Sequence, residues 1–96
     1  MDFLDKVYRK SDSIVSRKIA DEFVLVPIRK NVGDLENIYT LNEVAARIWE
    51  LIDGKRNVGD IKERICQEYE ATPEKTEKDI REFLFKLEKA EIIERK

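Results

Sequence analysis

Histidine is absent from this chain and cysteine occurs once, at Cys66. The commonest general base and the commonest protein metal ligand are therefore both missing. A lone thiol with no histidine to deprotonate it is a poor nucleophile, and a half-buried helix position is the better reading of Cys66. One cysteine also excludes an internal disulfide framework. Carboxylates are plentiful but scattered over helix faces opposite lysines and arginines, where solvated pairing accounts for them. Gly33, Gly54 and Gly59 form no phosphate-cradling loop. These residues point to no catalytic, metal-binding or cofactor-binding site, and so away from an enzyme.

The remaining chemistry is that of surfaces. A chain of 96 residues is one small domain with one core. Hydrophobic and charged residues each make up 42%, so the expectation is a globular fold with a heavily charged exterior. The net charge is −2 and the two signs are interleaved, which argues against a nucleic-acid or anionic-membrane partner driven by charge. No run is long enough to span a bilayer and no signal peptide is evident, so the expected location is the cytoplasm.

The stretch YTLNEVAARIWELIDG, residues 39–54, organises the elements. It begins as a strand and switches at Asn42, whose side-chain oxygen can cap a helix. Leu41, Val44, Ala45, Ile48, Leu51 and Ile52 recur at helical spacing with Trp49 on their flank. Gly54 is placed to stop the helix, because the residue after a helix end favours positive φ.

Upstream, residues 1–13 read as a frayed tail or, on a sharper reading, as a segment docked through Phe3, Leu4, Val7 and Tyr8. The domain proper is expected over residues 14–96. Ile14 to Ala20 alternates as a half-buried or edge strand, Asp21-Glu22 makes a turn, and FVLVPI is a strand covered on both faces. RKNVGDL is a loop, and ENIYTL is the third strand of an antiparallel meander. Downstream, Asn57 with Asp60 opens a second helix over about residues 59–70, with Val58, Ile61, Ile65 and Tyr69 inward. Thr72-Pro73 opens a third helix, which ends near Lys89-Ala90 and turns Thr76, Ile80, Phe83, Leu84 and Leu87 inward. The predicted fold class is α+β and winged-helix-like: a three-stranded antiparallel meander followed by a three-helix bundle.

A winged-helix order raises DNA binding, with the third helix as the reading element. That helix carries Lys75, Lys78, Arg81, Lys86 and Lys89 against Glu74, Glu77, Asp79, Glu82 and Glu88. It is neutral, whereas phosphate neutralisation needs local positive charge. A DNA-binding or regulatory domain is the second reading, and a structural adaptor that docks an enzyme is the third.

Leu41-Asn42, Ala45, Ile48, Leu51 and Asp53-Gly54 match the pattern L-N-x-x-A-x-x-I-x-x-L-x-D-G of PqqD-like proteins. The resemblance continues through Val58, Ile61, Ile65, Tyr69, Asp79, Phe83, Leu84 and Leu87, and covers about residues 14–93. It implies a noncatalytic winged-helix peptide chaperone, the recognition element of ribosomal-peptide maturation. Such a module binds the leader of a precursor peptide and presents it to a modifying enzyme. In the founding pathway that enzyme is a radical S-adenosylmethionine protein and the product is pyrroloquinoline quinone.

The family's binding mode implies the site. The leader would add a strand beside Glu36, Asn37, Ile38, Tyr39, Thr40 and Leu41, gaining affinity from main-chain hydrogen bonds and specificity from side-chain pockets. Ile80, Phe83 and Leu84 of the third helix would floor the adjoining gap. Phe85 falls opposite the helix's core stripe at about 100° per residue. With Lys78 and Arg81 near it, it would form a basic-rimmed anchor if that edge faces the gap.

Overall fold

The computed structural model describes residues 2–28 and 39–96 of the chain. A single 3-10 turn, Phe3–Asp5, is followed by strands β1 (Tyr8–Lys10), β2 (Ile14–Ile19), β3 (Glu22–Pro27) and β4 (Tyr39–Leu41). Helices α1 (Glu43–Leu51), α2 (Val58–Tyr69) and α3 (Pro73–Lys89) come next, and strand β5 (Ile93–Arg95) closes the order. Strands β2, β3 and β4 form the expected antiparallel sheet in that spatial order, and the three helices follow it. The architecture is α+β and winged-helix-like.

The sheet is built from alternation. Ile14 on β2, Phe23 and Leu25 on β3, and Tyr39 and Leu41 on β4 pack on the core. Val24, adjacent to Leu25 and so on the opposite face, is also buried, which leaves the centre of β3 covered on both sides. Among the described strands β2 lies at the edge of the sheet, and Ile19 at its far end is 60% exposed. The turn falls one residue earlier than Asp21-Glu22, because Ile19 pairs with Glu22 and Ala20 takes the left-handed φ of 56°. A two-residue hairpin loop needs positive φ to match the strand twist.

Local capping sets the helix starts. Asn42 Oδ1 accepts from the Ala45 N–H at 2.8 Å. Asn57 and Asp60 form a reciprocal capping box, at 2.8 and 3.1 Å. Thr72 Oγ1 accepts from the Lys75 N–H, and Pro73 takes the first helical position, where its missing N–H costs nothing. The helix stop expected at Gly54 is corrected. α1 ends at Leu51, and Ile52 already has extended dihedrals. Gly54 instead takes φ 78° in the following turn, where its N–H donates to the Tyr8 carbonyl at 3.0 Å.

Ile48, Trp49, Leu51 and Ile52 meet Val58, Ile61 and Ile65 of α2 and Ile80, Leu84 and Leu87 of α3 in one core, closed by Leu25 and Leu41 from the sheet. Each such side chain contributes about 1.5–3 kcal/mol by leaving water. Ion pairs link the helices outside this core. Arg47 grips Glu68 through two bonds of 2.8 and 2.9 Å, and Lys62 reaches Glu77 at 2.9 Å.

Residues 2–13, read from the sequence either as part of a frayed tail or as part of a docked segment, are docked on the domain. β1 pairs antiparallel with β5, joining the two ends of the described chain. Val58 N–H donates to the Lys6 carbonyl and Ser11 N–H to the Ile92 carbonyl, both at 2.9 Å. Tyr8 is 4% exposed. The 3-10 turn packs over the start of α2, where the Leu4 carbonyl lies 3.4 Å from the position a Cβ on Gly59 would take. Lys10 Nζ sits 4.9 Å from the centroid of the Trp49 ring, and burial pushes its ammonium below the usual lysine range. Trp49, expected on a flank, is 3% exposed and belongs to the core.

Candidate functional site

A groove of about 640 Å³ is lined by α1, α3 and the end of α2. α1 supplies Val44, Ala45 and Ile48, with its capping residue Asn42 at one end. α2 supplies Ile65 and Tyr69, followed by Ala71. α3 supplies Lys75, Thr76, Asp79, Ile80 and Phe83. Lys75, Asp79 and Phe83 are four residues apart in turn, so they stack along one edge of α3. The lining is mostly apolar, and its charges are the single ion pair of Lys75 Nζ with Asp79 at 3.0 Å. Burial beside Glu43 pushes the Tyr69 phenol up, so Tyr69 stands neutral in the wall.

The groove adjoins the sheet. β4 runs from Tyr39 to Leu41 and passes directly into Asn42. Among the described strands, β4 is paired on one side only, with β3. An edge strand presents alternate N–H and C=O groups to any chain laid beside it.

The structure separates the sequence-derived site residues. Ile80 and Phe83 line the groove as expected of its floor. Leu84 lies beneath, fully buried in the core. Tyr39 and Leu41 turn inward, opposite Leu25 and Phe23, and Leu41 also borders a shallower depression beside Phe23 and Arg47. Thr40 is exposed on the other face of the strand, opposite Val24. Glu36, Asn37 and Ile38 lie outside the described residues.

The rim expected from Phe85, Arg81 and Lys78 is not at this groove. Phe85 and Arg81 occupy the opposite edge of α3, in a cleft of about 380 Å³ shared with Phe3, Lys6 and Tyr8. There the Arg81 guanidinium stacks 4.3 Å from the centroid of Phe3 and also bonds Glu77 at 3.1 Å. Lys78 is exposed and lines neither hollow. The docked N-terminal segment explains the difference, since it fills the side of α3 that a tail would have left open. Sequence reasoning missed Tyr69, Ala71 and the Lys75–Asp79 edge. The i, i+4 spacing of Lys75, Asp79 and Phe83 was a signal for that edge of α3, and nothing local signalled Tyr69 or Ala71.

Cys66 is half-buried on α2 and outside the groove lining. Among the described residues no cluster of acidic or cysteine side chains is placed to hold a metal ion, and no helix is long and apolar enough to cross a membrane.

A three-stranded meander, three capped helices and an apolar groove beside the edge strand define an α+β domain of winged-helix type. The chain belongs to the PqqD family: residues 22–93 match coenzyme PQQ synthesis protein D. Among solved structures it is similar to TbiB1 in complex with the TbiA(beta) leader peptide. Identity to that chain is 32% and the TM-score is 0.73, over 90% of this chain and 94% of the other. No curated protein matches the chain.

Proposed function

We propose that this domain is a noncatalytic peptide-binding module that takes the leader of a ribosomally made precursor peptide and presents it to a modifying enzyme. One observation carries the reading. A structure captured with a leader peptide, TbiB1, matches this chain over nearly its whole length at 32% identity. The PqqD family match over residues 22–93 supports the same reading. Neither supports the DNA-binding alternative, and α3 carries five acidic against five basic residues.

In this reading the leader adds a strand along residues 36–41, of which Tyr39–Leu41 form β4. Its backbone pairs with the strand edge, and its apolar side chains enter the groove against Ile80 and Phe83. The modifying enzyme is a radical S-adenosylmethionine protein, as in the pathway that gives the family its name. The meeting takes place in the cytoplasm, where ribosomes release the precursor.

The test is a titration of the leader of a precursor peptide, sought among the neighbouring genes, into the labelled protein. Saturable binding, with amide shifts in β4 and α3, is the expected result. Shifts confined to residues 55–70, or no binding at all, would sink the proposal.

A further inference from the structure

Thr76 belongs to the buried stripe of α3 and lines the groove. Only 3% of it is exposed. Among the described residues, its hydroxyl is the one buried side-chain polar atom without a hydrogen-bond partner. A threonine hydroxyl in a helix ordinarily turns to the carbonyl one turn back. Here the Thr72 carbonyl takes the backbone N–H of Thr76 at 3.0 Å and not the hydroxyl. The groove lining also holds the polar side chains of Asn42, Tyr69, Lys75 and Asp79, and none of them bonds this hydroxyl.

A buried hydroxyl left unpaired costs stability, and valine has the same branched shape without that cost. The free domain therefore gains nothing from threonine over valine at this position. A bound chain could, because the groove is where its side chains arrive. Two χ1 rotamers are open to a helical threonine, so one rotation can turn the hydroxyl toward an occupant.

We propose that Thr76 is a specificity-determining residue of the groove. Its hydroxyl bonds one polar atom of a peptide side chain, so the groove selects an anchor with an apolar stem and a single polar tip over an aliphatic anchor of the same shape. The inference rests on the peptide-binding reading above and adds the chemistry that the groove selects.

The probe is a random-peptide library displayed on yeast, selected in parallel on the wild-type domain and on Thr76→Val. Peptides from each selection are then titrated beside versions in which the anchor is replaced by its apolar isostere, valine for threonine or leucine for asparagine. On the wild type the isostere should weaken binding about tenfold, the worth of one hydrogen bond. On Thr76→Val the preference should vanish while the domain melts no lower than wild type. Thr76→Ser keeps the hydroxyl and should keep the preference. Equal preference on wild type and Thr76→Val overturns the role of Thr76 and leaves peptide binding standing. A wild type that binds no peptide overturns the peptide-binding reading and this inference with it.

Discussion

Phe83 and Phe85 stand two positions apart on α3 and serve opposite edges of it. Phe83 lines the groove beside α1, while Phe85, 65% exposed, lies in the cleft with Phe3. The pair makes a clean comparison for locating the peptide. Phe83→Ala should weaken leader binding about thirtyfold, as truncation of an interface anchor does. Phe85→Ala should change it by less than about fivefold. Anisotropy titrations of a labelled leader would read both, with melting curves confirming the fold. The reverse order would place the peptide in the Phe3 cleft.

Strand addition makes its own demand on the leader. Alternate backbone amides of an added strand face the edge and the others face away. Leaders N-methylated at one position at a time should therefore alternate between lost and retained binding along the segment beside β4. Uniform tolerance would rule out main-chain pairing as the source of affinity.

Ile48 is 2% exposed and touches both the core and the groove wall. Ile48→Ala should destabilise the domain by about 2–5 kcal/mol, the cost of a cavity plus lost transfer energy. Urea unfolding would measure it. A midpoint near wild type would show that α1 is not central to the core.

Acid should loosen the helices through two carboxylates. Hydrogen bonds from Arg47 hold Glu68 below the ordinary glutamate value of 4.5, and those from Lys62 and then Arg81 do the same for Glu77. A carboxylate depressed in the folded state stabilises it above the unfolded pKa and stops doing so as pH falls through the folded value. Melting temperature should thus be level from neutral pH down to about 4.5 and drop below it. Glu68→Gln with Glu77→Gln should lower the neutral plateau and flatten the acid drop. Parallel curves for variant and wild type would remove these pairs from the account.

What could be read ahead of the structure was what short segments decide for themselves. Asn42, Asn57 with Asp60, and Thr72-Pro73 announce helix starts because a cap is satisfied within three residues. The inward stripes of α2 and α3 follow from period alone. Gly54 misled because positive φ serves any turn, and this turn exists to meet Tyr8. β1 was illegible: three residues carry no period, and its partner β5 lies at the other end of the chain. The groove was half legible. Ile80 and Phe83 could be placed by spacing on α3, but Tyr69 and Ala71 join them only through the approach of α2 to α3.

The pairing of β1 with β5 also sets an order of assembly. Arg9 and Glu94 are bonded across a separation of 85 residues, whereas β2 and β3 meet across a two-residue loop. Closing a long loop costs entropy that must be offset by contacts already made, so the terminal clasp closes after the hairpin and the helices. Three-residue strands at the ends of a chain are also among the first elements to open in the folded state. Lys10 over Trp49 belongs to that clasp, and Trp49 is the chain's single tryptophan. Its fluorescence therefore reports on the clasp and on the core beneath it together, and a change in it that precedes loss of helix signal would mark the ends parting first.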